Sequence, residues 1–126
     1  MKEVVAIVRM NMMNKTKRAL ADAGLGSITA RDALGRGKGI VDLQLLKGAE
    51  RGYEEAISQL GQSQRLIPKR ALLMGVNDEL VEKAAKAIIR TNRTGKSGDG
   101  MIFVLPCHEA VRVRTGERGD DTLDDG

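Results

Sequence analysis

The chain has 126 residues, of which 41% are hydrophobic and 30% charged, a balance that excludes a disordered chain and predicts one globular domain. No apolar run reaches the roughly 20 residues of a membrane span, and one Cys and one His exclude an internal disulfide and argue against a zinc cage. A net charge of +4 raises nucleic acid as a partner, but basic and acidic residues alternate and only one Phe and one Tyr could stack on bases. We therefore expect a cytoplasmic protein with no membrane insertion and no nucleic-acid partner.

The first part of the chain predicts a strand, a helix and a second strand. The β-branched run EVVAIVRM at 3–10 is typical of a buried strand. NKTKRALADAG follows as a helix that Asn11 or Asn14 can cap and that Gly24 ends. SITARDALGRGKG then predicts a second strand that begins near Ile28 and runs into a glycine-rich segment.

The connection at about 38–66 has no clear single period, and a connection of this length in a compact domain is usually functional or mobile. RLIPKRALLMGV predicts a third strand at 65–76. NDELVEKAAKAIIRT predicts a helix capped by Asn77, because its apolar residues recur at helical spacing.

Two further strands are predicted near the end of the chain. MIFVLP is a short apolar run of strand length, and EAVRVRTGE alternates Val with Arg in the manner of a half-exposed strand. The acidic segment at about 117–126 is expected to be solvated and mobile. The order β-α-β, long loop, β-α-β predicts a ferredoxin-like α+β sandwich, βαββαβ, as a single domain over 1–126.

The string Gly95-Lys96-Ser97 resembles the end of the phosphate-binding loop of nucleotide hydrolases. That loop has the form GxxxxGK(S/T), follows a strand and opens a helix. Here the position of its first glycine is Arg90, a helix precedes the string and a strand follows it. The sequence therefore argues against a hydrolase loop at this position.

The residue types nevertheless suit an anion. Closely spaced glycines can turn consecutive backbone N–H groups into a concave nest, and basic side chains surround them. Two arginines two positions apart on a strand would share a face, and phosphate suits their fork geometry. A glycine-rich turn and two solvated arginines are the alternative, and the residue types leave both open. The residues concerned are Gly95, Gly98, Gly100, Arg90, Arg93, Lys96, Arg112 and Arg114.

IIRTNRTGKSGDGMIFV followed by VRVRTGE resembles a signature region of the PII signal-transduction proteins, T-G-x-x-G-D-G-x-I-F-V with a terminal R-x-R-T-G-E. The resemblance covers nearly the whole chain. EVVAIVRMNMMNKTKRALADAGLGSITARDALGRGKG is similar to the first half of that family, KGAE to its long loop and IPKRALLMGVNDE to the strand after it.

The resemblance implies a ferredoxin-like trimer that binds ATP or ADP in clefts between subunits, and 2-oxoglutarate, with magnesium as a further component. It implies that Thr29 lies beside adenine and that Gly35 and Gly37 lie where the long loop approaches the nucleotide. It implies that Lys69 pairs with a carboxylate of 2-oxoglutarate. It further implies that Gly98, Asp99 and Gly100 surround the phosphates, and that Arg112 and Arg114 reach those phosphates across the subunit boundary.

Three positions depart from the family pattern. Met101 stands where the family has a lysine, and the loss of one charged phosphate contact corresponds to roughly 1.5–3 kcal/mol, about ten- to a hundredfold in affinity. Gly39 stands where a glutamine helps to hold magnesium and 2-oxoglutarate. Arg51 replaces a tyrosine that some members carry uridylylated, so we expect no uridylylation at position 51.

The long loop and the segment GRGKG resemble the nitrogenase-regulating branch of PII, in particular its second paralogue from archaea and anaerobic bacteria. The resemblance implies a non-enzymatic sensor that inhibits nitrogenase by contacting the dinitrogenase component, with relief by 2-oxoglutarate and ATP. The expected assembly is a homotrimer, or a hetero-assembly with a PII paralogue. A general PII regulator of an ammonium channel or glutamine synthetase is the alternative, and a nucleotide hydrolase that uses Asp99 is the third hypothesis.

Overall fold

The computed structural model describes residues 1–36 and 66–123, so most of the predicted long loop, with Gly37 and Gly39, lies outside the described residues. The regular elements follow the predicted order: β1 Lys2–Arg9, α1 Met13–Asp22, β2 Thr29–Gly35, β3 Ile67–Val76, α2 Val81–Asn92 and β4 Met101–Pro106. One 3-10 turn precedes each helix, at Met10–Met12 and Asp78–Leu80. The predicted ferredoxin-like α+β fold is confirmed.

The four strands form one sheet in the order β2-β3-β1-β4. β1 runs antiparallel to both of its neighbours, so its first and last residues mark the two ends of the sheet. At one end Arg9 pairs with Lys69, and Ile7 pairs with Met101 at the start of β4. At the other end Glu3 pairs with Gly75 of β3 and with Leu105 of β4.

The core lies between one face of the sheet and the two helices. Alternate residues of β1 point into it, and Val4, Ala6 and Val8 are fully buried there, as the period of two along a strand requires. The buried residues contributed by β3 and the helices are Met13, Leu20, Leu72, Met74, Val76, Ala84, Ala87 and Ile88. Apart from Met13 and Met74, this core consists of Leu, Val, Ile and Ala, as the scarcity of aromatic residues predicts.

A buried polar contact joins the two helices. The side-chain amide of Asn92, which is 4% exposed, donates to the hydroxyl of Thr16 at 3.0 Å and to the carbonyl of Ile88 at 2.9 Å. Thr16 in turn donates to the carbonyl of Met12 at 2.7 Å. Because a buried hydrogen-bond donor is costly unless it is paired, this contact fixes the last turn of α2 against α1 and with it the start of the following loop.

The other face of the sheet is apolar at its centre, and neither helix of the described residues packs on it. Val5 pairs with Leu73 on one side and with Phe103 on the other, so their side chains share this open face. Phe103 is 48% exposed and Met101 is 60% exposed. A contiguous exposed apolar surface of this kind is typical of a protein–protein interface.

The chain divides into two compact units, Met1–Ala33 with Lys69–Gly126, and Leu34–Pro68. The described residues of the second unit are the last residues of β2 with Arg36, and Leu66 with the first residues of β3. Within the described residues, both helices are too short and too polar to cross a membrane.

The prediction of a strand over EAVRVRTGE is wrong. Val111 pairs only with Arg118, in one isolated bridge, and the chain turns at 113–115. The N–H of Arg112 donates to the carbonyl of Glu117 at 2.8 Å, and that of Gly116 donates back to the carbonyl of Arg112 at 2.7 Å. The alternation of Val and Arg is real, but these local hydrogen bonds close a tight hairpin in place of an extended strand.

In the acidic segment from about residue 117, Glu117, Asp120 and Asp121 are exposed, whereas Thr122 and Leu123 pack against the rest of the chain. Asp120–Thr122 form a 3-10 turn in which Thr122 is 4% exposed. The hydroxyl of Thr122 donates to the carbonyl of Gly119 at 2.7 Å, and Leu123 lies over Gly75. The mobility of this segment stays a prediction.

Candidate functional site

The glycine-rich loop between α2 and β4 is organised around one carboxylate. Asp99 accepts the backbone N–H of Thr94 at 2.7 Å and the Thr94 hydroxyl at 2.5 Å. It also accepts the N–H of Gly95 at 2.9 Å and Nη1 of Arg9 at 2.9 Å. The carboxylate therefore closes the loop on itself and anchors it to the end of β1.

These contacts determine the acidity of Asp99. The hydroxyl and the backbone N–H of Thr94 hold the pKa of the carboxyl well below its usual range, with further lowering by the Arg9 guanidinium and the N–H of Gly95. A carboxylate with so low a pKa, whose oxygens already accept four hydrogen bonds, is a poor proton acceptor. This geometry argues against Asp99 as the base of a nucleotide hydrolase.

Glycine is required where the loop joins the sheet. Gly100 has φ +117°, and a Cβ there would lie 2.0 Å from the carbonyl oxygen of Ile7. Gly98 has φ +97°, and a Cβ there would lie 3.3 Å from Nη2 of Arg9. The loop therefore passes close to β1, with a backbone conformation that L side chains rarely adopt.

Two cations and two backbone N–H groups make the loop suitable for an anion. Nη2 of Arg9 donates to the carbonyl of Ser97 at 3.1 Å, and Nζ of Lys69 donates to the carbonyl of Gly98 at 3.3 Å. Among the hydrogen bonds between described residues, none uses the N–H groups of Ser97 or Gly98. We call Arg9, Lys69, Gly98, Asp99 and Gly100 the loop half-site, and its backbone has the form of an anion-binding nest.

An apolar cleft of about 410 Å³ adjoins the loop half-site. Ile7, Ile89 and Met101 line it together with Asp99 and Gly100. Met101 is 60% exposed and lies directly after Gly100. The cations nearest the turn are thus Arg9 and Lys69, on the neighbouring strands.

A second cleft of about 410 Å³ brings together the remaining charged residues of the predicted site. Thr29, Arg112 and Arg114 line it, with Glu3 of β1 and Gly75 of β3. We call Thr29, Arg112 and Arg114 the hairpin half-site. Its volume lies within the range of small-molecule sites, roughly 300–1,000 Å³.

The two half-sites lie at opposite ends of the sheet. Arg9, at the last position of β1, contacts the loop half-site, whereas Glu3, near its first position, lines the hairpin half-site. Six steps along a strand at about 3.3 Å each correspond to roughly 20 Å. This separation is much longer than a triphosphate, so one chain cannot bring both half-sites to the same phosphates.

The structure thus places most of the predicted site residues in two groups. Lys69 lies with the Gly98–Gly100 turn, and Thr29 lies with the two arginines. Gly35 is the last residue of β2, in the second unit, and Gly37 lies outside the described residues.

Sequence reasoning missed Arg9. It reads as the polar end of a buried strand, and only the register that pairs it with Lys69 brings it to the loop. A lone charge that ends a strand of a predicted βαβ unit, beside a second cation on the neighbouring strand, was the available signal.

Among the described residues, no group of three or more His, Cys, Asp or Glu could hold a metal ion.

Comparison with known proteins gives one family over almost the entire chain. The family model of the nitrogen regulatory protein P-II matches residues 1–117. A solved structure of Arabidopsis thaliana PII, described as bound to citrate, superposes with a TM-score of 0.72 at 30% identity, and the match covers 97% of this chain and 88% of that one.

Curated relatives come from archaea and bacteria. A "nitrogen fixation nifHD region GlnB-like protein 2" of Methanothermobacter marburgensis is 41% identical over 98% of this chain and 100% of its own length. The protein of the same name in Methanothermococcus thermolithotrophicus is 43% identical over 95% of this chain and 96% of its own. A "nitrogen regulatory protein P-II" of Rhodospirillum rubrum is 37% identical over 98% of this chain and 100% of its own.

Proposed function

The chain belongs to the nitrogen regulatory protein P-II family, within its nitrogenase-associated branch, and from this premise we propose its ligands and its target. It is a nitrogen regulator. We propose that it binds an adenine nucleotide and 2-oxoglutarate in clefts between the subunits of a homotrimer. We propose further that this occupancy controls a direct inhibitory contact with nitrogenase.

One observation carries the proposed binding mode, namely the distance between the half-sites. If the glycine-rich loop and the paired arginines bind the same phosphates, they must come from different copies of the chain. A head-to-tail interface places the loop half-site of one copy against the hairpin half-site of the next, and three such contacts close into a ring. The open apolar face of the sheet, with Val5 and Phe103 at its centre, supplies surface for this assembly.

The loop half-site fits a nucleotide phosphate. The N–H groups of Ser97 and Gly98 would donate to its oxygens, and Arg9 would support the loop through Asp99. Among the described residues, no carboxylate lies within 4 Å of the Lys69 ammonium, which leaves it able to pair with a carboxylate of 2-oxoglutarate. For magnesium, the described residues offer no group of three or more His, Cys, Asp or Glu side chains, so we assign it no residues here.

The hairpin half-site of the neighbouring copy would complete the site. Thr29 would lie beside the base, and Arg112 and Arg114 would approach the phosphates. Gly35 and Gly37 would border the nucleotide from the base of the long loop. Met101 and Gly39 each remove a polar contact that the family pattern supplies, so we expect weaker nucleotide and 2-oxoglutarate binding than in members that keep them.

Subunit complementation tests the shared site. Lys69→Glu reverses a charge in the loop half-site, and Arg114→Glu reverses one in the hairpin half-site. Each variant, refolded alone, is expected to lose binding of ATP with 2-oxoglutarate, measured by titration calorimetry. A 1:1 mixture refolded together should recover roughly a quarter of the wild-type sites, because half the subunits carry each intact half-site and every site needs one of each.

The mixture shows whether the two half-sites bind one ligand across a subunit interface. No recovery would show that the two half-sites do not serve one ligand across an interface. A wild-type chain that binds neither ATP nor 2-oxoglutarate would refute the ligand proposal itself.

Nitrogenase is the proposed target because relatives at 41–43% identity are named for the nifHD region of nitrogen fixation. Immobilised protein is expected to retain the dinitrogenase component and to release it when ATP and 2-oxoglutarate are added together. Retention of an ammonium channel or glutamine synthetase, without retention of dinitrogenase, would favour a general P-II regulator.

A further inference from the structure

The Arg112 guanidinium is already engaged within its own chain. Its side chain is 10% exposed, Nη1 lies 3.2 Å from a carboxylate oxygen of Glu117, and Nη2 donates to the carbonyl of Asp121 at 3.1 Å. The Nε atom is buried and has no partner among the described residues. A predicted phosphate ligand is thus paired with a carboxylate, which is the other anion that suits a guanidinium fork.

The same contacts hold the segment that forms one wall of the hairpin half-site. Residues 117–123 are tied back by Gly119, whose N–H donates to the carbonyl of Ala110 at 3.1 Å. Thr122 and Leu123 line the cleft with Thr29. The contacts of Glu117 and Asp121 with Arg112 and the shape of this cleft therefore depend on one another.

We propose that Glu117 is an internal competitor for the anion that binds at the hairpin half-site, so that residues 117–123 form a latch which anion binding loosens. This inference rests on the proposed nucleotide function and adds a regulator to it. A phosphate that approaches Arg112 meets the Glu117 carboxylate, and two anions at one guanidinium repel each other. The phosphate must therefore displace the Glu117 carboxylate from Arg112. The free energy by which the closed latch stabilises the chain is then lost on binding, and the affinity for the phosphate is lower by that amount.

The Glu117 carboxylate can leave Arg112 because it is accessible to water. Its side chain is 55% exposed, whereas that of Arg112 is 10% exposed, so the carboxylate can move into water while the guanidinium stays in place. The ligand would thus change the contacts of residues 117–123.

The test compares two variants that make the same charge change in the same hairpin. Glu117→Gln removes the competing charge. Glu109→Gln removes the charge that lies 2.5 Å from Nη1 of Arg118, whose cation does not line the cleft. By calorimetry, E117Q is expected to bind ATP about 3- to 10-fold more tightly than wild type, since the ion pair it removes is half exposed. E109Q should stay within about twofold of wild type.

Hydrogen exchange supplies a second readout in the absence of ligand. The backbone N–H groups of Gly119 and Thr122, both hydrogen-bonded in the latch, should exchange faster in E117Q than in wild type or E109Q. In wild type, ATP should accelerate exchange at the same two positions.

The outcomes separate the latch from the nucleotide function. If wild type binds ATP and E117Q binds it no more tightly, the latch is refuted and the nucleotide function stands. If neither protein binds ATP, the nucleotide function fails, and inorganic triphosphate, which needs no site for a base, decides the latch. Tighter triphosphate binding to E117Q supports it, and equal or weaker binding overturns it.

Discussion

At the scale of single residues, Asp99 holds the loop in shape. Its carboxylate joins Thr94 and Gly95 at the start of the loop to Arg9 of β1, with the loop's turn between them. A loop that binds the proposed nucleotide benefits from preformed N–H groups, because ordering them at the moment of binding would reduce affinity. The aspartate of the Gly-Asp-Gly segment therefore serves the site without being a proton acceptor in it.

Asp99→Asn is expected to lower stability at neutral pH, since an amide cannot accept all four hydrogen bonds or pair with Arg9. The pKa of Asp99 is lowered in the folded state, so its contribution is complete above the ordinary carboxyl pKa of about 4 and is lost as the pH falls toward the folded value. Urea unfolding from pH 7 to 2 should show a constant difference between variant and wild type down to about pH 4, and a shrinking one below it. A difference independent of pH would contradict this assignment.

At the scale of elements, the site depends on how closely the loop approaches β1. The last turn of α2 is fixed by Asn92 and Thr16, and from there the chain reaches β4 through Gly98 and Gly100. Since β4 pairs with β1 from Met101 onward, Gly100 must pass directly over the Ile7 carbonyl. The register of one strand pair therefore determines where the nest lies.

Gly100→Ala and Gly95→Ala test this dependence as a matched pair. Both glycines have positive φ, but a Cβ at position 95 meets open space and one at position 100 would overlap the carbonyl of Ile7. We expect Gly95→Ala to cost about 1–2 kcal/mol of unfolding free energy, and Gly100→Ala more than about 3 kcal/mol, measured by urea denaturation. Equal costs would show that the close approach at Gly100 is not a constraint.

At the scale of the whole molecule, the single chain has an apolar face and two separate groups of residues that we propose to be halves of one site. Phe103 is 48% exposed on the open face, beside Val5 and opposite the helices. Burial of such a face against other copies would stabilise an assembly by roughly 25 cal/mol per Å² of apolar surface. The same assembly would bring the two half-sites together.

Phe103→Lys should convert the assembly to monomers that keep their fold. The substitution places a charge on the open face, where burial without a partner is costly, while the core on the opposite side of the sheet is unchanged. Light scattering and circular dichroism measure the two properties. Ala21→Lys, at an exposed position of α1, adds the same charge and should remain assembled. If F103K keeps the assembly state of the wild type, the subunits of the proposed homotrimer meet elsewhere.

Much of this could be read from the sequence. Strand-length apolar runs and one helical stripe gave the element order, and the β4 bounds 101–106 agree with the prediction. Local hydrogen bonding explains the failure at EAVRVRTGE, because alternation predicts a strand whether or not a turn intervenes. Sequence reasoning missed the role of Arg9 and the ion pair of Glu117 with Arg112, since each depends on contacts that the local pattern does not contain.

The sequence by itself determined the elements, the family and the residue types suited to an anion, because periodicity, glycine spacing and charge are local properties. Only the tertiary structure decided that these residues form two half-sites at opposite ends of β1, and that Asp99 and Glu117 pair with arginines. The reason is the strand register, which brings Arg9 to Lys69 and Glu3 to Gly75 over a separation in sequence that no local pattern encodes.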